Sequence, residues 1–381
     1  MIQTAEHLAA LVARVLAAPS VALDTEFVWE RTFYPRLGVI QAGLPSGECF
    51  LIDACAGIDL APLGAVLASP QVEKILHDAQ QDLTILSRVT GQLPRRVFDT
   101  RTAAGFAGCV ATISLQELLA TMRSVALSKT ETRTNWLRRP LSDKQVAYAL
   151  DDVKHMHALR DEVRRRVDAF GHLSWLDEEL AAYDDPSLYM ERDPRAAYER
   201  VKGAGLLHGR KLAVLRELAA WRELEARRRD LPREHVTSDS ALIATARHSP
   251  QTPEALASAG TLSPGTIHHA GDAVAAAVAA GLAVPREQWP RFGPSHRRHN
   301  VKELVDEALA VVRENAAREH VDPGLVTTRA ELTSLAHAGG RASPEQYRVL
   351  RGWRHALVGE KLLALVSGGA HAAPPSHQRP A

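Results

Sequence analysis

Seven residues, Val21-Ala22-Leu23-Asp24-Thr25-Glu26-Phe27, constrain this chain more than any other stretch. Read as a β-strand, they send Val21, Leu23, Thr25 and Phe27 to one face and Ala22, Asp24 and Glu26 to the other, because side chains alternate along a strand. Two carboxylates then share a face, roughly 7 Å apart at the standard rise. Like charges at the end of an apolar run call for a cation beside them, and hard divalent metals are the natural candidates. The alternative is an edge strand with a polar outer face. What separates the two readings is whether the chain supplies further carboxylates that lack basic partners.

The surroundings of the strand read as an α/β domain with a mixed sheet. Thr4 is placed to cap a helix over 4–17 whose apolar side is Leu8, Leu11, Val12 and Val15. After the Asp24 strand come strand patterns at 37–42 and 48–52 around the turn Pro45-Ser46-Gly47, which suggests an antiparallel meander. Helix and strand patterns then alternate: 60–67 helix, 74–77 strand, 79–89 helix, 96–98 strand. Helices over 100–108 and 114–122 follow, then a polar stretch over 128–139 and one long helix over 142–168, opened by Ser142 with Gln145 three residues on.

Beyond residue 183 the composition shifts. Residues 183–209 are rich in Asp, Pro, Arg and Gly and read as a linker, with a short helix at 194–201. The remainder is helical. Leu212, Leu215, Leu218, Trp221 and Leu224 form an apolar arc on a helix that ends in Arg227-Arg228-Arg229, and Asn300 is placed to cap a further helix after a second linker at 285–299. The 381 residues thus divide into a first domain over 1–190, two small helical domains over 207–285 and 295–368, and a tail over 369–381 that is expected to be disordered.

Composition removes several function classes. With 46 basic against 45 acidic residues, a globally basic nucleic-acid binder is not indicated, so any basic surface is local. Cys49, Cys55 and Cys109 show no paired spacing, which argues against a disulfide framework or thiolate zinc site; they read as small core residues of a cytoplasmic protein. Residues 1–16 lack a basic leader followed by a long apolar run, so no signal peptide is expected, and Ala273 to Val284 is too short to span a bilayer. Residues 203–211 lack the Gly-Lys-Ser/Thr ending of a phosphate loop, so no nucleotide cofactor is expected.

Further carboxylates do appear. Asp82 sits on the first turn of a helix directly after a strand, the edge where α/β sites gather; the competing reading is a helix-start acid favoured by the dipole, with Asp78 better placed as the cap. Tyr148 and Asp152 lie four apart on one helix face, whereas Asp151 points elsewhere; the competing reading is a surface acid beside a half-buried ring. Together Asp24, Glu26, Asp82 and Asp152 offer the oxygen donors of Mg²⁺ or Mn²⁺. Two such ions about 3.5–4 Å apart can activate water and stabilise the leaving oxygen of a phosphodiester.

Leu23-Asp24-Thr25-Glu26-Phe27, His77 with Asp82-Leu83 five residues on, and Tyr148-x-x-x-Asp152 resemble the three exonuclease motifs of the DEDD superfamily in its tyrosine-containing branch. The histidine branch needs His five residues before the last acid, where Ala147 stands. Thr32 to Gly38, Lys129 to Trp136 and Arg139-Pro140-Leu141 resemble the connecting signatures of the ribonuclease D family. The likeness runs through residues 20–165, and the two helical regions resemble that family's paired HRDC-type domains.

This resemblance implies a ribonuclease-H-like exonuclease domain followed by two HRDC-like domains. It also implies a metal-dependent 3′-5′ exoribonuclease that releases nucleoside 5′-monophosphates from structured RNA such as precursor tRNA. Asp24, Glu26, Asp82 and Asp152 would hold two divalent ions, Mg²⁺ or Mn²⁺, and Tyr148 would orient the attacking water or help deprotonate it. Lys129 and Arg133 are candidates for phosphate, Trp136 for stacking or packing, and Phe27 for wedging against a terminal base or filling the core. His77 reads as structural support, and Arg227 to Arg229 with Arg297-Arg298 as either phosphate contacts or solvated charge. A repair-type DNA 3′-5′ exonuclease, or an RNA-binding protein with a lapsed site, are the alternatives.

Overall fold

The computed structural model describes residues 1–127, 134–292 and 298–368, except for the side chains of 298–300 and 368. It divides the chain into two compact units. Residues 1–26, 37–189 and the described residues after 297 form the first, and residues 27–36 with the described part of 190–295 form the second.

The sheet of the first unit comprises β1 (Ser20–Val28), β2 (Arg36–Gly43), β3 (Cys49–Asp53), β4 (Glu73–Leu76) and β5 (Val97–Asp99), in the order β3-β2-β1-β4-β5. β2 and β3 are antiparallel, with Gln41 opposite Leu51, while β4 runs parallel to both β1 and β5, so the sheet is mixed. Alternation along β1 sorts the core. Val21 and Leu23 pack with Leu8, Leu11 and Val15 of α1 (Ala5–Leu16), Val66 of α2 (Gly64–Ala68) and Leu83 and Leu86 of α3 (Gln80–Thr90). Ala22 faces the other way. It joins Phe106 of α4 (Thr100–Phe106), Leu118 of α5 (Leu115–Arg123), Val153 of α6 (Asp143–Lys154), Leu159 and Val163 of α7 (Met156–Ala169) and Leu176 of α8 (Leu173–Ala181). Each such aliphatic side chain, fully buried, contributes about 1.5–3 kcal/mol.

Ser142 caps α6 as its sequence signals: its hydroxyl accepts from Gln145 N at 3.2 Å and Gln145 returns a bond to Ser142 N at 3.0 Å. The single helix expected over 142–168 is instead two. The chain leaves helical geometry at His155 (φ −101°, ψ −2°) and resumes at Met156. No proline or glycine marks the break. Packing sets it, because α6 lies against β3 whereas α7 lies on α4 and β4.

The second unit is arranged around α9 (Gly209–Arg229), with α10 (Arg233–Val236), α11 (Asp239–His248), α12 (Pro253–Ala259) and α13 (Pro264–Ala283). α13 crosses α9 closely at Gly281, where a Cβ would stand 2.4 Å from Val214 Cα. Leu212, Leu215 and Leu218 are buried as their spacing predicts, but Leu224 is 53% exposed. The buried side of the last turns is Arg222, Glu223 and Ala226 instead. Glu223 accepts from Arg233 at 2.8 Å and Arg227 at 3.2 Å. Arg227 also holds Glu191 (3.0 Å) and the Arg192 carbonyl (2.8 Å), and Arg228 is paired with Glu225 (2.7 Å), so these two cations are committed within the unit.

Residues 27–36, which follow Glu26 in β1, belong to this second unit. The Phe33 ring lies under the guanidinium groups of Arg233 (4.5 Å) and Arg227 (5.8 Å), a cation–π arrangement. Tyr34 N donates to Asp230 Oδ1 at 3.0 Å and its hydroxyl donates to Glu191.

The helices after residue 297 enter the core of α4–α8 in the first unit. Val305 and Val312 of α14 (Arg298–Arg318), Val326 of α15 (Pro323–Val326) and Leu332 of α16 (Arg329–Ala338) all join it. Trp353 of α17 (Gly352–Arg354) meets Phe106 edge-on at 5.0 Å and stacks on Trp175 at 5.6 Å, and its indole donates to Glu179 at 3.1 Å. Asp322 N donates to the Gly105 carbonyl at 2.8 Å. α14 begins at Arg298, so Asn300 lies inside it and does not cap it. Cys49 and Cys109 are half-buried against the core of the first unit, Cys55 is exposed and so is not the core residue expected, and all three are free thiols. The tail after 368 and Arg297 lie outside the described residues. Among the described residues no helix is long and apolar enough to cross a membrane.

Candidate active site

Asp24 and Glu26 project from β1 on the Ala22 face, toward α6. Helix α6 comes close because Gly43 of β2 has no side chain: a Cβ there would lie 3.0 Å from the Val153 carbonyl and 3.5 Å from Ala22 Cβ. With Ala149 and Val153 buried, the i, i+4 spacing turns Tyr148 and Asp152 to the same side of α6. One carboxylate oxygen from each of Asp24, Glu26 and Asp152 then lies within 4.8 Å of the other two, and all three residues keep a partly exposed edge.

Asp82 stands outside this triad but close enough for its charge to act on Asp24 and Glu26. It sits in the first turn of α3, 8% exposed, and its Oδ1 accepts from the Thr25 hydroxyl. Asp78 does not cap this helix. It adopts a left-handed conformation (φ 62°) and pairs with Arg101. The backbone at the helix start is held by Asp99 instead, which is 2% exposed and accepts from Asp78 N (3.0 Å), Ala79 N (3.2 Å), Arg101 N (2.9 Å) and the Tyr183 hydroxyl. Asp99 could have been found in the sequence, since Asp99-Thr100 ends a strand and opens a helix as a capping pair does. Thr25 could not, because alternation assigns it to the opposite face.

Burial, then Asp82, Asp152 and Glu26 as like charges, hold Asp24 well above the usual carboxylate range. Burial, then Asp152 and Asp82, push Glu26 up to about 8. Burial raises Asp152 to about 7, with Asp151 adding to it, and raises Asp82 to about 6 against the opposing Thr25 hydrogen bond. Among the described residues, the charged groups acting on these four carboxyls are all acids. Ionising them together therefore needs an external cation, and clustered hard oxygen donors fit a divalent one such as Mg²⁺ or Mn²⁺. The residues present thus fit the group that the sequence implies.

Tyr148 is half-buried against Trp136, their rings 6.1 Å apart. Burial, then Asp152, Glu26 and Asp24, raise its hydroxyl above its ordinary value. Trp136 is 2% exposed, and its carbonyl would stand 2.5 Å from a Cβ on Gly38. It therefore packs and presents no free face to a base. Arg139 of the same segment donates to the Gly38 carbonyl (2.7 Å), the Trp136 carbonyl (2.8 Å) and Asp53 (2.9 Å). Phe27 follows Glu26 on β1 and is half-buried. Lys129 and Arg133 lie outside the described residues.

His77 is structural. Burial lowers it and leaves it neutral; Nε2 faces the Ile113 carbonyl at 3.1 Å, which can only accept, so Nε2 carries the hydrogen and Nδ1 faces the Thr100 hydroxyl at 2.9 Å.

With this geometry, the chain matches the family model for a 3′-5′ exonuclease over residues 1–168 and the model for an HRDC domain over residues 211–278. Ribonuclease D of Desulfotalea psychrophila is 38% identical over 358 residues, 93% of this chain and 95% of that one. Ribonuclease D of Gluconacetobacter diazotrophicus is 36% identical, over 97% of this chain and 93% of that one. Among solved structures, Escherichia coli RNase D, described as an exoribonuclease involved in structured RNA processing, superposes with a TM-score of 0.85 at 29% identity, over 97% of this chain and 98% of that one.

Proposed function

The chain belongs to the ribonuclease D family and is a 3′-5′ exoribonuclease; we propose that it trims the 3′ ends of structured RNA, precursor tRNA among them, with two divalent ions held by Asp24, Glu26, Asp82 and Asp152. The observation that carries this reading is the triad of Asp24, Glu26 and Asp152, three acids gathered within 4.8 Å on which, among the described residues, only acids act. The E. coli relative's work on structured RNA supports the substrate class.

Bound divalent ions would supply the positive charge that activates water and stabilises the departing 3′ oxygen. The chain's own groups do the rest. Asp24 and Glu26, on one rigid strand, fix two donors at a set separation, and Asp152 closes the triad from α6. Tyr148, one turn before Asp152 on α6, orients the attacking water or helps to deprotonate it. Hydrolysis at the terminal phosphodiester releases a nucleoside 5′-monophosphate. The helical segments add affinity through the RNA backbone without reading sequence. A cytoplasmic location accompanies this reading and suits the three free thiols.

The test is digestion of 3′- and 5′-labelled precursor tRNA, and of matched DNA, with Mn²⁺, Mg²⁺ or chelator, comparing wild type with Asp24→Asn. Metal-dependent release of mononucleotides from the RNA 3′ end, lost in the variant, is the expected result. Preference for DNA, or binding without cleavage under either metal, overturns it.

A further inference from the structure

Alternation places the Thr25 side chain on the opposite face of β1 from Asp24 and Glu26, away from the chemistry. Thr25 is nevertheless 5% exposed and donates its hydroxyl to Asp82 Oδ1. A buried hydroxyl is costly unless it is hydrogen-bonded, and valine has the same shape with a better fit to an apolar strand, so packing alone does not account for it.

The topology gives the hydroxyl a task. α3 packs on the Val21–Leu23 face, whereas the Asp24–Glu26–Asp152 triad gathers on the other. Asp82 therefore approaches the site from the far side of the sheet. Its backbone is already fixed, because Asp99 holds the amides of Asp78 and Ala79 at the start of α3. What remains is the rotation of the carboxylate itself, on which the Asp82 backbone N–H and the Thr25 hydroxyl both act. We propose that Thr25 is a positioning residue for the reaction: its hydroxyl occupies Oδ1 of Asp82 and leaves Oδ2 as the metal donor. One strand then sets three of the four acids, two directly and the third through the residue between them. The inference rests on the metal-binding reading of the four acids given above.

The experiment uses the full-length chain. Mn²⁺ binding is followed by electron paramagnetic resonance without RNA, and turnover of a 3′-labelled RNA is measured in parallel, for wild type, Thr25→Val, Thr25→Ser, Asp82→Asn and the Thr25→Val/Asp82→Asn double variant. Thr25→Val is expected to weaken Mn²⁺ binding and lower kcat by roughly 10- to 100-fold, with KM for RNA unchanged, as loss of a partner that orients a metal ligand does. Thr25→Ser, which keeps the hydroxyl, should stay within about threefold of wild type, and the double variant should be no worse than Asp82→Asn alone, since the hydroxyl acts through that acid. Mn²⁺ binding by Thr25→Val within about twofold of wild type overturns the proposal, as does a Thr25→Ser variant impaired as much as Thr25→Val, because methyl packing would then explain the loss. If wild type itself binds no Mn²⁺, the metal reading falls and this inference with it; if wild type binds and Thr25→Val binds equally, only the role of Thr25 falls.

Discussion

Glu26→Gln should make the metal-free protein more stable while making it inactive. Glu26 is raised from 4.5 to about 8 in the folded chain. Between those values the folded state keeps a proton that the unfolded state has released, so the stability it contributes is complete below pH 4.5 and is lost as pH rises toward 8. At about 1.36 kcal/mol per pKa unit, the ionised group costs the fold about 4 kcal/mol at pH 8. An uncharged amide escapes that cost but leaves polar atoms short of partners, worth about 1–3 kcal/mol, so the expected net gain is about 2 kcal/mol. For a unit of this size that is a rise in Tm of roughly 4–8 °C. The assay is thermal unfolding of chelator-dialysed wild type and variant at pH 5 and pH 8, followed by circular dichroism. At pH 5 less than about 1 kcal/mol of the charge penalty remains, so the gain should vanish or reverse. Added Mn²⁺ should raise the Tm of wild type at pH 8 more than that of the variant. A variant no more stable than wild type at pH 8, or equally stabilised at both pH values, would refute the view that clustered, unpaired acids strain the metal-free site.

Three further outcomes follow from the packing. Tyr148→Phe keeps the ring against Trp136 and removes only the hydroxyl, so kcat on labelled RNA should fall roughly 10- to 100-fold with KM and Tm little changed. Gly38→Ala drives a methyl to 2.5 Å from the Trp136 carbonyl and should lower stability by about 1–3 kcal/mol in urea unfolding, with the 134–142 segment displaced. Trp353→Ala removes a ring packed on Phe106 and Trp175 and should cost about 3–5 kcal/mol; a loss under 1 kcal/mol would show that the helices after residue 297 are not held by that core.

Where one residue type can do one thing, the sequence was legible. The alternation of Val21 to Phe27 gives both the core face and the acid pair, and Ser142 with Gln145 gives the start of α6, because both signals are local. The tyrosine and acid of α6 were readable for the same reason: four residues are one turn. Elements decided by distant neighbours were not readable. The break at His155 comes from two helices meeting different partners, and Leu224 is exposed because Glu223 and Arg222 take the buried side of α9. Trp136 reads equally as a stacking or a packing ring until Gly38 and Arg139 close over it. Thr25 escaped because spacing rules compare residues along one element and it acts between elements, whereas Asp99 carried a local capping signal that was there to be read.

Residues 27–36 show that the modules of this protein are defined by space and not by the chain. A cut after residue 189 removes Arg227, Asp230 and Arg233, and with them the covering of Phe33 and the partner of Tyr34 N, from a loop that continues directly from Glu26. A shortened enzyme would thus lose more than its helical domain, and lower activity in it could not be read as lost RNA affinity. The same holds for exchange between relatives: a transplanted helical module needs its own residues 27–36 carried with it, so this loop must change hands together with a region that begins more than 150 residues later.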